Sequence, residues 1–212
     1  MAKEYKTEQE AFWAESFGDE YIERNRSQKL LASNVAFFAD IIKRTNGIRS
    51  IMEFGANIGM NIRSIDKLLV NAEFSAVEIN KKAWEQLKKI ERVEAHNCSI
   101  LDFRPTEQYD LVFTKTVLIH IDPSELSAVY QTMYDTSRKY ICVAEYYNPT
   151  PVVITYRGHK NRLFKRDFAG EMLEKFPGLK LIDYKFIYHR DNNSPQDDIT
   201  WFLMEKTAKN GN

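Results

Sequence analysis

Residues 50–59 read Ser-Ile-Met-Glu-Phe-Gly-Ala-Asn-Ile-Gly, and the prediction of the fold starts from them. Its first five residues form a short apolar run bounded by a glycine, which predicts a buried β-strand. Gly55 and Gly59 follow at once, and a helical pattern begins at Asn61. A strand, a glycine-rich turn and a helix in this order form the first unit of an open α/β sheet, in which such turns bind ligands at the carboxyl ends of the strands.

Outward from this stretch, strand-like and helical segments alternate through residue 176, which predicts a mostly parallel sheet with helices on both faces. The predicted strands are 50–54, 73–78, 93–100, 109–113, 140–146, 179–189 and 199–205. Only a turn-rich link separates the last two, so we expect the last strand to be antiparallel. The predicted fold is therefore an α/β, Rossmann-like sandwich with a seven-stranded sheet.

The predicted helices are 7–16, 27–44, 61–69, 81–90, one that opens at 122–125 with Asp122 as its N-cap, and 166–175. We predict an N-terminal helical lid over residues 1–46 and a ligand-binding domain over 47–206. Within that domain an insertion spans about 147–166. Residues 207–212 form a polar tail that we expect to be frayed.

Composition excludes several functional classes. Lys+Arg and Asp+Glu both number 30, so the chain lacks the basic excess typical of a duplex nucleic-acid binder. It has neither a signal-peptide core nor an apolar run long enough to span a bilayer, which predicts a cytoplasmic protein without a membrane partner. Cys98 and Cys142 lie in apolar runs, and we expect free thiols rather than a disulfide or a metal site.

The charges around the first turn indicate the ligand. The spacing Gly-x-x-x-Gly differs from the Gly-x-Gly-x-x-Gly of dinucleotide binders, and the Gly-Lys-Ser/Thr of a P-loop is absent from the sequence. Glu53 repels a pyrophosphate but suits a cationic sulfonium and ammonium. Glu78, at the end of the second strand, can accept hydrogen bonds from both hydroxyls of a ribose. These charges favour S-adenosylmethionine (SAM) over a nicotinamide nucleotide.

Taken in order, the Glu53–Gly59 turn, Glu78, the run 97–100 and the strand 109–113 resemble the successive motifs of class I SAM-dependent methyltransferases, over roughly residues 48–145. The resemblance implies that the turn cradles the amino-acid part of SAM, Glu78 holds the ribose, residues 99–100 frame the adenine and residues 115–116 line the methionyl end. S-adenosylhomocysteine (SAH) is then the product. The predicted cofactor-binding residues are Tyr21, Glu53, Gly55, Ala56, Asn57, Gly59, Asn61, Glu78, Ile79, Ser99, Ile100, Lys115 and Thr116.

The segment 12–25 is similar to the lid that folds over SAM in related enzymes. In that arrangement Tyr21 hydrogen-bonds the cofactor and Arg24 pairs with a carboxylate. The alternative is a helix that packs on the sheet edge with Trp13 as its buried residue.

The insertion predicts the acceptor side, because it combines tyrosines with a local basic cluster in a neutral chain. Such a cluster suits an anionic acceptor, namely a carboxylate, a phosphate or a nucleotide-linked sugar; the alternative is a solvated loop. The candidate substrate-binding residues are Tyr147, Asn148, Tyr156, Arg157, His159 and Lys160. The sequence after the fourth strand, Thr114-Lys115-Thr116-Val117, lacks the Pro-Pro motif of nucleobase and amide N-methyltransferases, which disfavours those acceptors.

The acceptor atom, oxygen or nitrogen, stays open. A hydroxyl acceptor needs a nearby base, whereas an amine needs only to be neutral. The candidate catalytic residues are His120, Tyr146, Tyr147 and His159, and no spacing selects among them. A structural or cofactor-side role for His120 is an open alternative.

The stretches 12–25, 53–61 and 145–151 together resemble the pseudaminic acid biosynthesis-associated methylases. That resemblance implies a small-molecule substrate, a nonulosonic-acid-type or nucleotide-linked sugar of cell-surface glycan biosynthesis. Two other functions stay open at this stage: a non-catalytic SAM- or nucleotide-binding partner protein, and a less favoured nicotinamide oxidoreductase. The chain is expected to be a monomer or a homodimer.

Overall fold

The computed structural model of the chain describes residues 5–23 and 27–207. The expectations for Arg24 and for most of the polar tail concern residues outside these ranges. Among the described helices, none combines the length and the apolar character that a membrane span needs.

A seven-stranded sheet with the order β3-β2-β1-β4-β5-β9-β8 forms the centre of the molecule. The strands β1 to β5 are parallel, and β9 pairs antiparallel with both β5 and β8. The predicted Rossmann-like sandwich with an antiparallel last strand is therefore confirmed. The strands of this sheet are β1 Ser50–Phe54, β2 Glu73–Val77, β3 Val93–His96, β4 Tyr109–Lys115, β5 Ser137–Glu145, β8 Leu179–Ile187 and β9 Ile199–Lys206.

Helices cover both faces of the sheet, as the alternating pattern predicts. Phe37 and Phe38 of one helix and Ile62 of another pack on one face, while Val129 and Met172 belong to the core on the other. Burial of these apolar side chains is the main force that holds the layers together. The helices are α1 Glu8–Ala14, α2 Ser16–Ile22, α3 Gln28–Ile42, α4 Met60–Asp66, α5 Lys81–Leu87, α6 Leu126–Thr136 and α7 Phe168–Lys175.

Several boundaries differ from the sequence predictions, and three of the differences have a visible structural basis. The predicted helix 7–16 is two short helices, α1 and α2, which meet at Glu15. The strand β3 ends at His96 because the side-chain amide of Asn97 turns away to donate to the carbonyls of Glu78 and Ile79. Asp122 was wrongly predicted as an N-cap, since its carboxylate accepts from the backbone and hydroxyl of Ser124 in a turn that precedes α6.

The predicted insertion forms a separate β-hairpin rather than a loop. Its strands are β6 Val152–Tyr156 and β7 His159–Lys165, and they pair antiparallel. The two turn residues, Arg157 and Gly158, have φ angles of 51° and 85°, which are the left-handed values that a tight hairpin turn requires. The hairpin follows β5 and packs on the core through Leu163 of β7.

Candidate functional site

A cavity lies at the carboxyl edge of the sheet, where β1, β2 and β4 end. This is the edge at which open α/β sheets bind ligands. Of the predicted cofactor-binding residues, only Glu53 and Gly59 lie behind its wall. Those that line it are Tyr21, Gly55, Ala56, Asn57, Asn61, Glu78, Ile79, Ser99, Ile100, Lys115 and Thr116. Their roles toward a cofactor remain predictions.

The turn after β1 needs its two glycines for steric reasons. Gly55 has a φ of 76°, and a Cβ there would come within 2.5 Å of Cγ2 of Val117. At Gly59, with a φ of 79°, a Cβ would come within 2.4 Å of Ile90. Asn57 also has a positive φ, and its own side chain accepts from the N–H of Ile58. The turn thus presents bare backbone to the cavity.

Glu78 holds the turn after β1 to the residues that follow β2. Its two carboxylate oxygens each accept one backbone N–H at 2.7 Å, from Asn57 and from Asn80. Burial raises the pKa of this carboxyl, and the backbone N–H groups of Asn80, Asn57 and Ile79 oppose that rise. Each oxygen keeps a second lone pair, so Glu78 can also accept from a ligand hydroxyl in the cavity.

Glu53 lies one side chain behind the cavity wall. One of its oxygens accepts from Nδ2 of Asn61 at 2.6 Å, and the other has no hydrogen-bond partner among the described residues. Burial raises the pKa of Glu53 to about 8. Asn61 in turn accepts from Nδ2 of Asn34 at 3.0 Å, which extends the network to helix α3.

Lys115 meets the other end of this network. Its Nζ donates to Oδ1 of Asn34 at 3.3 Å, and Nε2 of Gln196 donates to the same oxygen at 3.1 Å. Burial lowers the pKa of Lys115 to about 8, although nearby carboxylates, Asp197 foremost, oppose that fall. Asn34, Gln196 and Asp197 all line the cavity, and the sequence analysis missed them.

Only Asn34 carries a sequence signal that would have found it. It is a polar residue on the apolar stripe of helix α3, and the structure buries it beside Phe37 and Phe38. A buried amide needs hydrogen-bond partners, so such a position indicates a polar network. Gln196 and Asp197 lie in the turn-rich link between β8 and β9, where nothing local distinguishes them.

His120 is the one candidate catalytic residue that lines the cavity. Its Nδ1 lies 2.5 Å from the carbonyl oxygen of Arg162, and because that oxygen can only accept, Nδ1 carries the proton. Burial lowers the pKa of His120 to about 4, so at neutral pH the ring is neutral and Nε2 holds a lone pair. The ring packs against Trp13 at 4.5 Å and Tyr156 at 5.0 Å between centroids.

Glu145 holds the loop that carries His120. Its side chain is buried at the end of β5, and its oxygens accept from the N–H groups of Val117, Leu118 and Ile119 at 3.0, 3.1 and 3.4 Å. Burial raises the pKa of Glu145 to about 7, against the pull of these three donors. One carboxylate thus fixes the loop whose Val117 also closes over Gly55.

Helices α1 and α2 lie over the cavity through Trp13 and Tyr21. The Trp13 ring contacts Tyr21 at 5.2 Å, and its Nε1 is buried without a hydrogen-bond partner among the described residues. Two of the polar contacts that tie α1 to the hairpin are a hydrogen bond from Gln9 to the carbonyl of Asn161 and an ion pair between Arg162 and Glu8. The predicted lid therefore contacts both the cavity and the hairpin.

The other candidate catalytic residues do not line the cavity. Tyr146 is half-buried, with Nζ of Lys165 5.3 Å from its ring centroid. Tyr147 is 43% exposed and packs against Phe202, whereas His159 is exposed and packs against Phe12 at 5.0 Å. Their catalytic roles remain predictions.

The candidate substrate-binding residues lie on the hairpin and the strand end before it. Tyr156 contacts the rings of Trp13 and His120 from outside the cavity wall. Arg157 and Lys160 are exposed beside the hairpin turn, and Asn148 donates to the carbonyl of Thr150. Within the described residues no group of His, Cys, Asp and Glu side chains is arranged to hold a metal ion.

No protein-family model and no curated protein sequence matches the chain. Solved structures do match it, and they share the fold of class I SAM-dependent methyltransferases. At 13% identity or less in the three examples below, this likeness concerns the fold.

A 1,6-didemethyltoxoflavin N1-methyltransferase from Burkholderia thailandensis, with its substrate and SAH bound, has a TM-score of 0.69 and 13% identity; the match covers 94% of this chain and 87% of that one. The magnesium protoporphyrin IX methyltransferase of Synechocystis PCC 6803, with SAM bound, has a TM-score of 0.64 and 11% identity over 97% and 100%. A SAM-dependent methyltransferase from Clostridium acetobutylicum ATCC 824 has a TM-score of 0.63 and 9% identity over 91% and 98%.

Proposed function

We propose that this chain is a SAM-dependent methyltransferase that acts on a small-molecule acceptor. The observation that carries the proposal is the turn after β1, where Gly55 leaves no room for a Cβ and Glu78 ties the turn to the end of β2. Structures that share this fold include a methyltransferase with SAM and one with SAH bound.

The charges of the cavity fit a cationic nucleoside. Among the described residues, its wall contains the carboxylates of Glu10, Glu78, Asp122 and Asp197 against one cationic side chain, Lys115. A wall with this balance attracts a ligand that carries a sulfonium and an ammonium, and it repels a pyrophosphate. The unpartnered indole N–H of Trp13 is a further donor that a bound ligand can satisfy.

Different residues of the cavity wall would hold different parts of SAM. Glu78 would accept from the ribose hydroxyls, residues 55–59 would cradle the amino-acid part, and Ser99 with Ile100 would frame the adenine. Lys115 offers a cation for the methionyl carboxylate. When bound, SAM supplies an electrophilic methyl group on a positively charged sulfur.

The residues of the chain would position the acceptor and exclude water from the cavity. An acceptor held in line with the transferable methyl gains most of its rate from that alignment. Trp13 and Tyr21 close the cavity from above, and His120 presents a neutral imidazole to it. A base with a pKa of about 4 is weak toward a hydroxyl. His120 therefore suits an acceptor that arrives as a neutral nucleophile better than one that must be deprotonated.

For the acceptor we propose a nonulosonic-acid-type or nucleotide-linked sugar of cell-surface glycan biosynthesis, methylated in the cytoplasm. Support comes from the sequence resemblance and from the hairpin, whose turn carries Arg157 and Lys160 next to Tyr156. Tyr156 packs against Trp13, which lines the cavity. An anionic group of the acceptor that extends outside the cavity would therefore lie near the basic turn.

Calorimetry with SAH tests the proposal. The wild type binds SAH, and Glu78→Ala weakens binding about 10- to 100-fold, because a charge-assisted hydrogen bond to a buried carboxylate contributes about 1.5–3 kcal/mol. The control is Glu73→Ala, an exposed residue at the opposite end of β2, which leaves affinity unchanged. Absence of SAH binding, or equal binding by both variants, would contradict the cofactor site.

A transfer assay with tritiated SAM then tests catalysis. Radioactivity transferred to a nucleotide-linked or nonulosonic-acid-type sugar supports the enzyme and eliminates the non-catalytic binding protein. SAH binding without transfer to any member of that panel would contradict the proposed acceptor class while leaving the cofactor site intact.

A further inference from the structure

The strand β8 ends the sheet with an unpaired edge. Its inner neighbour is β9, and no described strand pairs with its outer side. The outward peptide groups along this edge of nine residues are therefore open to another strand, apart from the N–H of Tyr184, which donates to Oδ1 of Asp183 at 2.8 Å. The edge on the other side of the sheet, β3, has only four residues.

The same strand concentrates exposed apolar side chains. Of the nine large hydrophobic residues that are exposed in the described ranges, five lie between positions 181 and 188. Tyr184 is 61% exposed and stacks on Phe202 with 5.8 Å between centroids. An apolar cluster of this kind marks an interaction surface. Its members are Leu181, Ile182, Tyr184, Phe186 and Tyr188.

We propose that β8 pairs antiparallel with β8 of a second copy of this chain, about a two-fold axis perpendicular to the sheet. The two seven-stranded sheets then become one continuous sheet. An isologous contact of this kind is self-limiting, because it uses the open edge of both copies.

Symmetry and charge select the register. A two-fold axis perpendicular to the sheet keeps each side chain on its own face. The axis must therefore lie midway between the two copies of one residue, which face each other, and it is named by that residue. An axis at Asp183 or at Lys185 sets two like charges directly opposite each other, which is destabilising. An axis at Tyr184 instead sets Asp183 opposite Lys185 of the partner subunit, and does so twice.

The neighbouring positions agree with this register. It sets Ile182 opposite Phe186 of the partner subunit, so apolar groups meet next to the ion pairs. An axis at Ile182 would fall on the β-bulge between Leu181 and Asp183. An axis at Phe186 would leave only three strand residues paired, because β8 ends at Ile187.

Contacts within the chain hold the two charges in place. Asp183 forms an ion pair with Arg44, which lies just after the end of α3. Nζ of Lys185 lies 2.8 Å from Oδ2 of Asp40, which lies on α3. Their side chains therefore lie on the face that α3 covers, and Tyr184 lies on the opposite face with Phe202.

The alternative to the dimer is a monomer, because a bulge and lysines can also keep an edge strand from pairing.

Analytical ultracentrifugation from about 1 to 100 µM decides between the two. The wild type sediments as a dimer, and Tyr184→Lys raises the dissociation constant at least about 10-fold, since it sets two like charges on the axis. Val153→Lys is the matched control, because it replaces a residue that is 60% exposed on the hairpin. Circular dichroism checks that both variants stay folded.

A monomeric wild type at 100 µM, or a dimer that tolerates Tyr184→Lys, would overturn the proposal. SAH binding by the same samples is measured separately, so the outcome for the interface does not depend on the outcome for the cofactor site.

Oxidative cross-linking tests the register. Opposite residues of an antiparallel pair have Cα atoms about 4.5–5.5 Å apart, which a disulfide can bridge. Tyr184→Cys therefore forms a covalent dimer on a non-reducing gel. Val153→Cys and the wild type, whose Cys98 and Cys142 are half-buried and buried, do not. Equal cross-linking in all three would refute the axis at Tyr184.

Discussion

Two glycines with nearly the same backbone conformation lie on the two sides of the proposed active site, and their surroundings differ. Gly55, after β1, has a φ of 76°, and a Cβ there would lie 2.5 Å from Val117; Gly158, in the hairpin turn, has a φ of 85° and open space around it. One glycine is required by its conformation and its surroundings, the other by its conformation alone. The cofactor side is thus shaped by packing and the hairpin side by a local turn.

The polar groups of the two sides differ in the same way. Glu78, Glu53 and Glu145 are buried, and backbone N–H groups or amides hold each of them. Arg157 and Lys160 of the hairpin are exposed. A buried, paired group is set before the ligand arrives, whereas an exposed one contributes mainly long-range attraction. We therefore expect substitutions on the first side to have the larger effects.

The largest effect should come from Gly55→Ala. Left-handed strain and the clash with Val117 together cost about 2–5 kcal/mol, and the displaced turn loses SAH binding. Gly158→Ala carries the strain without the clash, costs about 1–2 kcal/mol and leaves SAH affinity unchanged. Urea unfolding and SAH calorimetry on both variants measure the difference. Equal losses in the two variants would show that packing against Val117 does not set Gly55 apart from Gly158.

The pH dependence of stability gives the second effect. Burial raises the pKa of Glu53 from 4.5 to about 8, so between these values the folded chain holds a proton that the unfolded chain has lost. Unfolding free energy therefore falls as pH rises through this window, by up to about 1.4 kcal/mol per pH unit from this group. Glu53→Gln removes that part of the slope.

Urea unfolding at intervals from pH 5 to 8 measures the slope. The exposed Glu73→Gln is the control and keeps the slope of the wild type. Glu145, whose pKa rises to about 7, contributes in the same direction and remains in both variants. An unchanged slope in Glu53→Gln would show that Glu53 is already ionised at low pH in the folded chain.

The smallest effect belongs to the hairpin turn. Replacement of Arg157 and Lys160 together by Gln raises the KM for a nucleotide-linked sugar no more than about 5-fold, because exposed charges are screened by solvent and salt. SAH affinity stays unchanged. Transfer assays at low and high salt measure both, and the difference between the variants shrinks as salt increases. A large loss of SAH affinity would place these residues at the cofactor instead.

Local patterns predicted the strand, turn and helix beside the cavity better than they predicted the hairpin. The strand, turn and helix around Gly55 are contiguous, so the order of residues alone places the turn at the edge of the sheet. Gln196 reaches the cavity through a contact with Asn34, 162 positions away, and no local pattern encodes such a meeting. The hairpin did have a local signal, the β-branched run 152–155 before the Arg157-Gly158 turn, which the sequence analysis left as an insertion.

The strand β9 enters the sheet out of chain order. Among the described strands β9 is the last to be synthesised, yet it lies between β5 and β8 in the sheet. Until it leaves the ribosome, β8 has no neighbour to join, and β5 exposes one side. The sheet can therefore be completed only after residues 199–206 are free to insert between β5 and β8.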